Sequence, residues 1–341
     1  MSPRSDVEGV RYGSGQGDPR AHVESYFVKA NHPTESRAIW VKTTIFSPAP
    51  TRGEPHAAVG EAWAIAFDRD RDGGHVAVKA CEPIADCRFT REGIDAQVAG
   101  CSITRTVTTG SICTGDRSLS WRLELDPKGG DLRPLPYDWM YNAPFPSSKL
   151  ASPIADARVS GTIIVNGETW DVENWRGMLG HNWGKRHAPE YAWVHANQFV
   201  DENGKPVDLI FEGVSARVAI GNLRTPRLTT LMLRYRGVTY AINSVRSMIA
   251  THASISHRRW TFSGKSRSCA IEGEFWADTS DFVGLFYANP SGPATHCLNS
   301  KIAYGQVRVT LDGRAPFVVT TDRAALEVGT LDDDHGIRMY A

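Results

Sequence analysis

The sequence predicts an all-β protein, and three observations support that prediction. Runs of β-branched and aromatic residues recur at strand length along the chain. Clusters of Gly, Pro, Asp and Asn, which favour turns, separate these runs. No segment shows an apolar stripe of helical period for longer than about three turns. Many strands joined by tight turns indicate antiparallel barrels or sandwiches.

The first half of the chain contains the clearest strand patterns. Asn166-Gly167 lies between two such patterns and favours a two-residue hairpin turn. Asn203-Gly204 and Asp312-Gly313 predict two further turns of this kind. The predicted strands are 23–29, 38–46, 61–67, 75–80, 101–109, 118–125, 161–165 and 168–172.

A chain of 341 residues exceeds the usual size of one hydrophobic core, so we expect two domains. Residues 1–20 are polar and glycine-rich and predict a flexible N-terminal arm. The first β domain is expected over 21–190 and the second over 191–341. Within the first, the Pro-rich and aromatic segment 132–153 predicts a long loop. Such a loop either covers a satellite core or forms the lid or wall of a pocket.

The composition excludes several functional classes. Lys plus Arg equals Asp plus Glu at 38 each, so no basic surface for nucleic acid is expected. No apolar stretch has the length of a transmembrane helix, and the first twenty residues lack a secretory pattern. We therefore expect a cytoplasmic protein with reduced, buried cysteines, although a disulfide between Cys81 and Cys87 stays open. The sequence also leaves a homodimer open.

The most informative residues lie near the middle of the chain. The runs 174–184 and 191–199 hold Trp175, Trp183, Trp193, His181 and His195, with three glycines in the first run. Indole rings provide large rigid apolar walls, and imidazole titrates near neutral pH. Glycine lets the backbone turn tightly or approach other groups closely. These runs predict the floor of an apolar pocket that contains a proton donor or acceptor.

These runs also carry a family resemblance. Gly180-His181-Asn182-Trp183-Gly184, with Trp193 and Asn197-Gln198-Phe199, resembles a lipocalin-like superfamily. That group includes the carotenoid 1,2-hydratases (hydroxyneurosporene synthases), the AttH-like proteins and fungal Diels–Alderases. Segments 25–33 and 37–42 resemble its opening strands. The resemblance implies two calycin-type barrels side by side, with a ligand chamber within or between them.

The resemblance also implies site residues. In the hydratases a His-x-Trp pair and a downstream acidic residue act on an isolated carbon–carbon double bond. His181 and Trp183 match the pair, and Glu212 is the nearest acidic match. The hydratases carry Asp at that place, with tyrosine two positions before it, whereas this chain has Glu212 and Ile210.

Together these residues predict acid-assisted chemistry on an apolar molecule. Glu212 lies in an apolar run, and a desolvated carboxyl stays protonated near neutral pH. Indole faces would stabilise a carbocation, and His181 would orient the acid or activate a water molecule. The predicted catalytic residues are therefore Glu212 and His181. The predicted substrate-binding residues are Trp175, Trp183, Trp193, His195, Asn197 and Tyr141.

No cofactor and no metal are expected. His181, His187 and His195 are spaced six and eight apart, unlike the spacing of zinc-binding helices. The expected partner is an apolar small molecule that is terpenoid-, steroid- or polyketide-like. The expected reaction is hydration, isomerisation or cyclisation.

Each assignment has a structural alternative. Glu212 could pair with Arg217 or Arg224, and His181 in a glycine-bounded turn could form a hydrogen-bonding bracket between the barrels. Trp183 and Trp193 could belong to the core, where we also place Trp40, Trp63 and Trp121 of the first barrel. The alternative function is a non-catalytic, lipocalin-like carrier or sensor. A chamber that exposes Glu212 or His181 favours the enzyme, a purely apolar chamber favours the carrier, and solidly filled barrels would remove both.

Overall fold

The computed structural model confirms an all-β fold. Two large curled antiparallel sheets form half-barrels, as expected for two lipocalin-like units. The residues that the structure describes are 6–13, 21–51, 57–72, 74–217, 226–340 and, for the backbone only, 219–220 and 223–224.

The first sheet contains 11 strands in the order β4-β3-β2-β1-β11-β10-β9-β8-β7-β6-β5. Side chain–backbone hydrogen bonds between Thr114 and Lys79 link β8 to β4, so the sheet curls back on itself without a continuous ladder. Its strands are β1 (His22–Asn31), β2 (Arg37–Ser47), β3 (Val59–Asp68), β4 (Val76–Pro83), β5 (Arg88–Phe89), β6 (Asp95–Val98), β7 (Cys101–Thr104), β8 (Val107–Thr114), β9 (Arg117–Pro127), β10 (Ser148–Val165) and β11 (Glu168–Gly184).

The second sheet contains 12 strands. Its main path runs β19-β18-β15-β12-β25-β24-β22-β21-β20, while β13 and β14 pair beside β25 and β23 pairs with β24. These strands are β12 (Tyr191–Ala196), β13 (Phe199–Val200), β14 (Pro206–Val207), β15 (Leu209–Ala216), β18 (Leu228–Tyr235), β19 (Val238–Ile242), β20 (His252–Ser256), β21 (Arg259–Lys265), β22 (Cys269–Trp276), β23 (Val283–Tyr287), β24 (Thr295–Leu311) and β25 (Phe317–Thr330).

Short elements complete the fold. Strands β16 (Ala219–Ile220) and β17 (Leu223–Arg224) form a separate hairpin. Helix α1 (Val245–Ala250) has six residues, and no helix in the described ranges has the length and apolar character needed to cross a bilayer. Single 3₁₀ turns occupy Ile84–Asp86, Asp138–Tyr141 and Thr279–Asp281.

The structure corrects three local predictions. The predicted strand 101–109 is a hairpin, because the Thr104 hydroxyl bonds to both the N–H and the carbonyl of Val107 at 3.0 Å and closes a turn. The predicted loop 132–153 ends earlier, since β10 begins at Ser148. His181 and its flanking glycines do not form a turn, because they lie inside β11 and pair with β1 on one side and β10 on the other.

Strand alternation divides the apolar residues among three cores. Along β1, Tyr26 and Val28 face the interior of the first half-barrel, whereas Phe27 faces the second sheet. A second cluster fills the interior of the second half-barrel, and a third lies between the sheets. Trp121 lies in the first interior as predicted, but Trp40 and Trp63 lie between the sheets, so their predicted placement was wrong.

The predicted N-terminal arm and the predicted domain boundary can both be compared with the structure in part. Residues 6–13 are packed on the first sheet, with Val7 and Val10 buried, so a flexible arm does not describe this segment; 1–5 and 14–20 lie outside the described residues. The chain changes sheet between Gly184 and Tyr191, and the division into two domains stays a prediction. All six cysteines are free thiols, three of them buried.

Candidate functional site in the chamber between the sheets

A chamber of about 320 Å³ lies between the two sheets. Its wall on the first sheet includes Phe27 and Trp183, and its wall on the second sheet includes Tyr191, Trp193 and Val214. Apolar side chains pack inside each half-barrel, and the chamber lies where the two sheets face each other. This volume lies in the range of small-molecule sites.

The Pro-rich loop forms one side of the chamber. Leu135, Met140 and Phe145 from this loop line the space, and Met248 of α1 lines it as well. Tyr141 from the same loop is buried in a small cluster with Val7 and Trp183. The loop therefore does both things that the sequence left open, since it covers a satellite core and provides a chamber wall.

Glu212 is fully buried on β15, beside the chamber. Its Oε1 accepts hydrogen bonds from Ser152 Oγ at 2.7 Å and from Trp193 Nε1 at 3.1 Å. Its Oε2 has no hydrogen-bond partner among the described residues. Burial raises the pKa of Glu212 to about 7, and the two hydrogen bonds oppose that rise. A large share of Glu212 is therefore protonated at neutral pH.

Glu212 contacts the chamber wall without itself lining the chamber. Trp193 lines the space and donates to the carboxyl, and Val214, two residues along β15, lines it too. Thr230, opposite Val214 on β18, lines the chamber with a hydroxyl that has no partner among the described residues. The alternative of an ion pair with Arg217 is not observed, because Arg217 bonds to Glu190 at 3.1 Å. The side chain of Arg224 lies outside the described residues.

His181 joins the N-terminal segment 6–13 to the first sheet. Its Nε2 lies 2.8 Å from Glu24 Oε1 and its Nδ1 lies 2.8 Å from the carbonyl oxygen of Val7. A carbonyl oxygen and a carboxylate oxygen therefore lie within hydrogen-bond distance of the two ring nitrogens. The ring also stacks on Tyr26 with centroids 4.2 Å apart. His181 is thus a bracket, although it holds the N-terminal segment rather than the second barrel.

Glu24 is a buried residue that the sequence reasoning missed. Besides His181 it accepts hydrogen bonds from Arg11 N at 2.7 Å, Tyr12 N at 2.8 Å and His22 Nε2 at 2.8 Å. Burial alone would raise the pKa of Glu24, but the bonds and charges of His181 and His22 outweigh it and lower the pKa to about 2. The sequence signal that could have identified Glu24 is a single glutamate within the apolar run of β1.

His195 and Asn197 lie at the contact between the sheets. His195 Nε2 donates to the carbonyl of Ala155 at 3.0 Å, and burial, with the charge of Lys29, lowers its pKa well below the usual value. Asn197 Nδ2 donates to Asp156 Oδ1 and to the carbonyl of Gly177, both at 2.9 Å. Neither residue lines the chamber.

The structure therefore brings only part of the predicted set together. Trp183 and Trp193 line the chamber, Trp193 contacts Glu212, and His195 lies opposite Glu212 in the β12–β15 ladder. Trp175 lies in the interior of the first half-barrel, away from this wall. A carboxylate that the sequence reasoning missed, Glu327, lines the chamber.

Glu327 is held by a buried lysine. Lys301 Nζ lies 2.8 Å from Glu327 Oε1 and 5.5 Å from the centre of the Trp193 ring. Burial lowers the pKa of Lys301, and the charge and hydrogen bond of Glu327 oppose that change. Within the described ranges no group of three His, Cys, Asp or Glu side chains is placed to hold a metal ion.

Comparison with known proteins shows the family. A family model described as tocopherol cyclase-like matches residues 79–330, well over half of the chain. The chain belongs to the tocopherol cyclase-like family. The match covers most of both sheets, including β11, β12 and β15, which hold the tryptophans of the chamber and Glu212.

Relatives and solved structures place this family member in the predicted group. An uncharacterized protein of Mycobacterium tuberculosis is 24% identical over 312 residues, which cover 90% of this chain and 86% of that protein. AttH of Nitrosomonas europaea is similar in fold, with a TM-score of 0.55 and 15% identity over 99% of this chain and 100% of AttH. Kievitone hydratase of Nectria haematococca has a TM-score of 0.54 and 8% identity, over 96% of this chain and 97% of the hydratase. The family match and the fold shared with AttH and kievitone hydratase confirm the predicted lipocalin-like resemblance at the level of the fold.

Proposed function

We propose that this protein is an enzyme that protonates a carbon–carbon double bond of an apolar terpenoid-, steroid- or polyketide-like molecule without a cofactor. The observation that carries the proposal is the state of Glu212. Its carboxyl is protonated to a large extent at neutral pH, touches the chamber wall through Trp193, and has one oxygen without a partner among the described residues. A neutral carboxylic acid beside an apolar space is suited to deliver a proton to an alkene.

The reaction follows from that arrangement. The step requires the alkene to reach the Glu212 carboxyl beside Trp193, at the edge of the chamber. The carboxyl then gives its proton to one alkene carbon, and the other carbon becomes a carbocation beside Trp183 and Trp193. Each indole face stabilises a cation by up to about 2 kcal/mol when water is excluded. The cation then takes up water, is closed by a hydroxyl group of the substrate, or loses a neighbouring proton. In all three outcomes a proton returns to the Glu212 carboxylate.

The relatives support this class of reaction. The family is named for tocopherol cyclase, and kievitone hydratase shares the fold. Hydration and cyclisation differ only in the oxygen nucleophile that captures the cation, so one acid in one chamber serves both. His181 is not assigned a catalytic part in this proposal, because both of its ring nitrogens are already bonded. A cytoplasmic location and a homodimer stay predictions.

The experiment is a search for deuterium incorporation. Purified protein is incubated in D2O with prenylated phenols, polyprenyl alcohols and sterols, and each product is analysed by mass spectrometry. We expect deuterium at an alkene-derived carbon of at least one compound with the native protein and none with Glu212→Gln. Equal deuterium incorporation by both proteins would exclude Glu212 as the acid.

A carrier is the second candidate, and one observation favours it. The chamber wall is mostly apolar, and Glu212 contacts that wall without lining the space. A carrier would retain an apolar molecule through purification, as seen by native mass spectrometry, and would return it unchanged and free of deuterium after incubation in D2O.

A further inference from the structure

We propose that the ligand of the chamber carries an anionic oxygen head group, a carboxylate or a phosphate, that binds to Lys149 and Arg186. The proposal deepens the proposed function, because it concerns the same chamber, and it specifies the class of molecule that fills it. Both side chains line the chamber, whose other walls are mainly apolar. The molecule is therefore an apolar tail with a negatively charged end.

Lys149 is buried without a counterion among the described residues. Its side chain is 9% exposed, and its Nζ donates to the carbonyl oxygen of Pro146 at 2.7 Å. Among the described residues no carboxylate lies within ion-pair distance of this ammonium group. A buried charge without a partner is costly, so such a group is normally completed by a ligand or a counterion.

The charges around Lys149 are also positive. Burial, followed by the charges of Arg11 and Lys185, lowers the pKa of Lys149 to about 8. The Arg11 guanidinium lies 5.3 Å from the centre of the Trp183 ring, and its Nε and Nη2 are buried without a partner among the described residues. An anion placed here would be attracted by several cations at once.

Arg186 joins this group, and its guanidinium also has no ion-pair partner among the described residues. Ser148 Oγ donates to the carbonyl oxygen of Arg186 at 2.5 Å, and Ser148 pairs with Gly184 in the β10–β11 ladder. The chain therefore brings position 186 next to the start of β10, which carries Lys149. No ion pair of the Arg186 guanidinium is found in the described part of the chain.

The acidic groups at the chamber are already paired with cations. Glu327 pairs with Lys301 at 2.8 Å, and Glu190, which bonds to the chamber residue Arg217, also pairs with Arg227. His187 also lines the chamber, and it is neutral because burial lowers its pKa to about 3. The described wall thus holds two uncompensated positive charges, those of Lys149 and Arg186.

The test compares three probes that share one tail: geranylgeraniol, geranylgeranoic acid and geranylgeranyl diphosphate. Binding is measured by calorimetry and by quenching of tryptophan fluorescence. We expect at least one anionic probe to bind tenfold or more tightly than the alcohol, and the better of the two shows whether a carboxylate or a phosphate is preferred. Equal affinity for all three, binding of the alcohol alone, or binding of none overturns the proposal.

Variants locate the head group. Lys149→Gln and Arg186→Gln are each expected to lose about tenfold in affinity for the anionic probe and none for the alcohol. Arg217→Gln is the matched control, because Arg217 lines the same chamber but is paired with Glu190. An equal loss in Arg217→Gln, or an equal loss for the alcohol and the anion, would contradict the assignment.

The pH dependence of the affinity for the anionic probe is a second measurement. It would not change if Lys149 had only a structural role. Affinity for the anion should fall as the pH rises through about 8, where Lys149 loses its proton. Lys149→Arg keeps its charge and should flatten that fall. These measurements do not require turnover, and Glu212→Gln should keep the preference for the anion. Anion-selective binding without deuterium incorporation would contradict only the proposed reaction, and deuterium incorporation with no anion preference would contradict only the head group.

Discussion

Trp193 Nε1 donates a hydrogen bond to Glu212 Oε1 over 3.1 Å, and the same indole forms part of the chamber wall. One residue thus contacts both the ligand space and the buried acid. The bond holds one carboxyl oxygen in place, while the other has no partner among the described residues.

Glu212→Gln should lose turnover by at least a hundredfold while ligand affinity changes by no more than a few fold. The amide keeps the size of the side chain and can accept from Trp193 and Ser152, but it cannot donate an acid proton. Deuterium incorporation measures turnover, and calorimetry measures affinity. Glu124→Gln, an exposed site on β9, is the control and should match the native protein. Full activity in Glu212→Gln would show that the acid has been misassigned.

The same residue should make the folded state less stable as the pH rises. The pKa of Glu212 is about 7 in the folded protein and near its usual 4.5 when unfolded. Between these values the folded state binds more protons, so its stability is full below pH 4.5, falls as the pH rises from 4.5 to 7, and levels off above pH 7. At about 1.4 kcal/mol per pKa unit the loss is roughly 3 kcal/mol. Urea unfolding at pH 5 and pH 8 should show this loss in the native protein and not in Glu212→Gln.

Ser152→Ala should move the pH profile of activity to higher pH. The Ser152 hydroxyl donates to Glu212 Oε1 at 2.7 Å and thereby lowers the pKa of that carboxyl. Without this bond the acid keeps its proton longer, and the alkaline limb should shift up by about one unit. Ser120→Ala, on the neighbouring strand β9, should leave the limb unchanged. A shift toward lower pH would contradict the assignment of the limb to Glu212.

His181→Ala should destabilise the protein and release the N-terminal segment. The substitution leaves the Glu24 carboxylate buried with fewer donors, a situation that typically costs about 3–5 kcal/mol. Amide hydrogen exchange of residues 6–13 should rise more than that of the second sheet. If His181→Ala unfolds at the native midpoint but loses all turnover, the residue has a catalytic part after all.

The contact between Glu24 and His181 should also make the folded state less stable at acid pH. The folded pKa of about 2 lies below the usual value of 4.5, so this contribution is present above pH 4.5 and is lost as the pH falls toward 2. Glu24→Gln should remove that pH dependence, and it is the matched control for the histidine variant.

Gly180→Ala should narrow the chamber. A Cβ at this position would lie 2.2 Å from the Phe27 ring, which is paired opposite Gly180 and lines the chamber. The ring must shift, at a cost of about 1–3 kcal/mol in stability, and we expect it to move into the ligand space that it lines. Affinity for the preferred tail should fall, as measured by fluorescence quenching. The control is Ala192→Gly on β12, which makes a side chain smaller and should not narrow the chamber. Gly167→Ala is unsuitable as a control because the φ of Gly167 is positive.

Much of the site could be predicted because buried residues have apolar neighbours in the local sequence. The apolar run around Glu212 indicated a desolvated carboxyl, and the structure places that carboxyl in a fully buried position with a raised pKa. Trp183 and Trp193 stood out as wall residues by composition, and both line the chamber. The glycines of the run 174–184 were expected to allow either a tight turn or a close approach, and Gly180 is a close approach inside a strand.

The partners of these residues could not be predicted, because they come from distant parts of the chain. Glu24 lies 157 residues from His181, and Ser152 lies 60 residues from Glu212. Lys149 shows its missing counterion only when every neighbouring strand is in place. Local sequence carries no record of such pairings, since they depend on how two sheets curl and face each other.

The sequence by itself determined the all-β class, the turns, the superfamily and the residue types that form an apolar wall with an acid beside it. The tertiary structure alone decided that the hollow lies between the sheets and that His181 holds the N-terminal segment. It also decided which charges stay without a partner. The physical reason is that strand period and turn chemistry act over a few residues, whereas cavities and counterions arise from contacts between strands far apart in the chain.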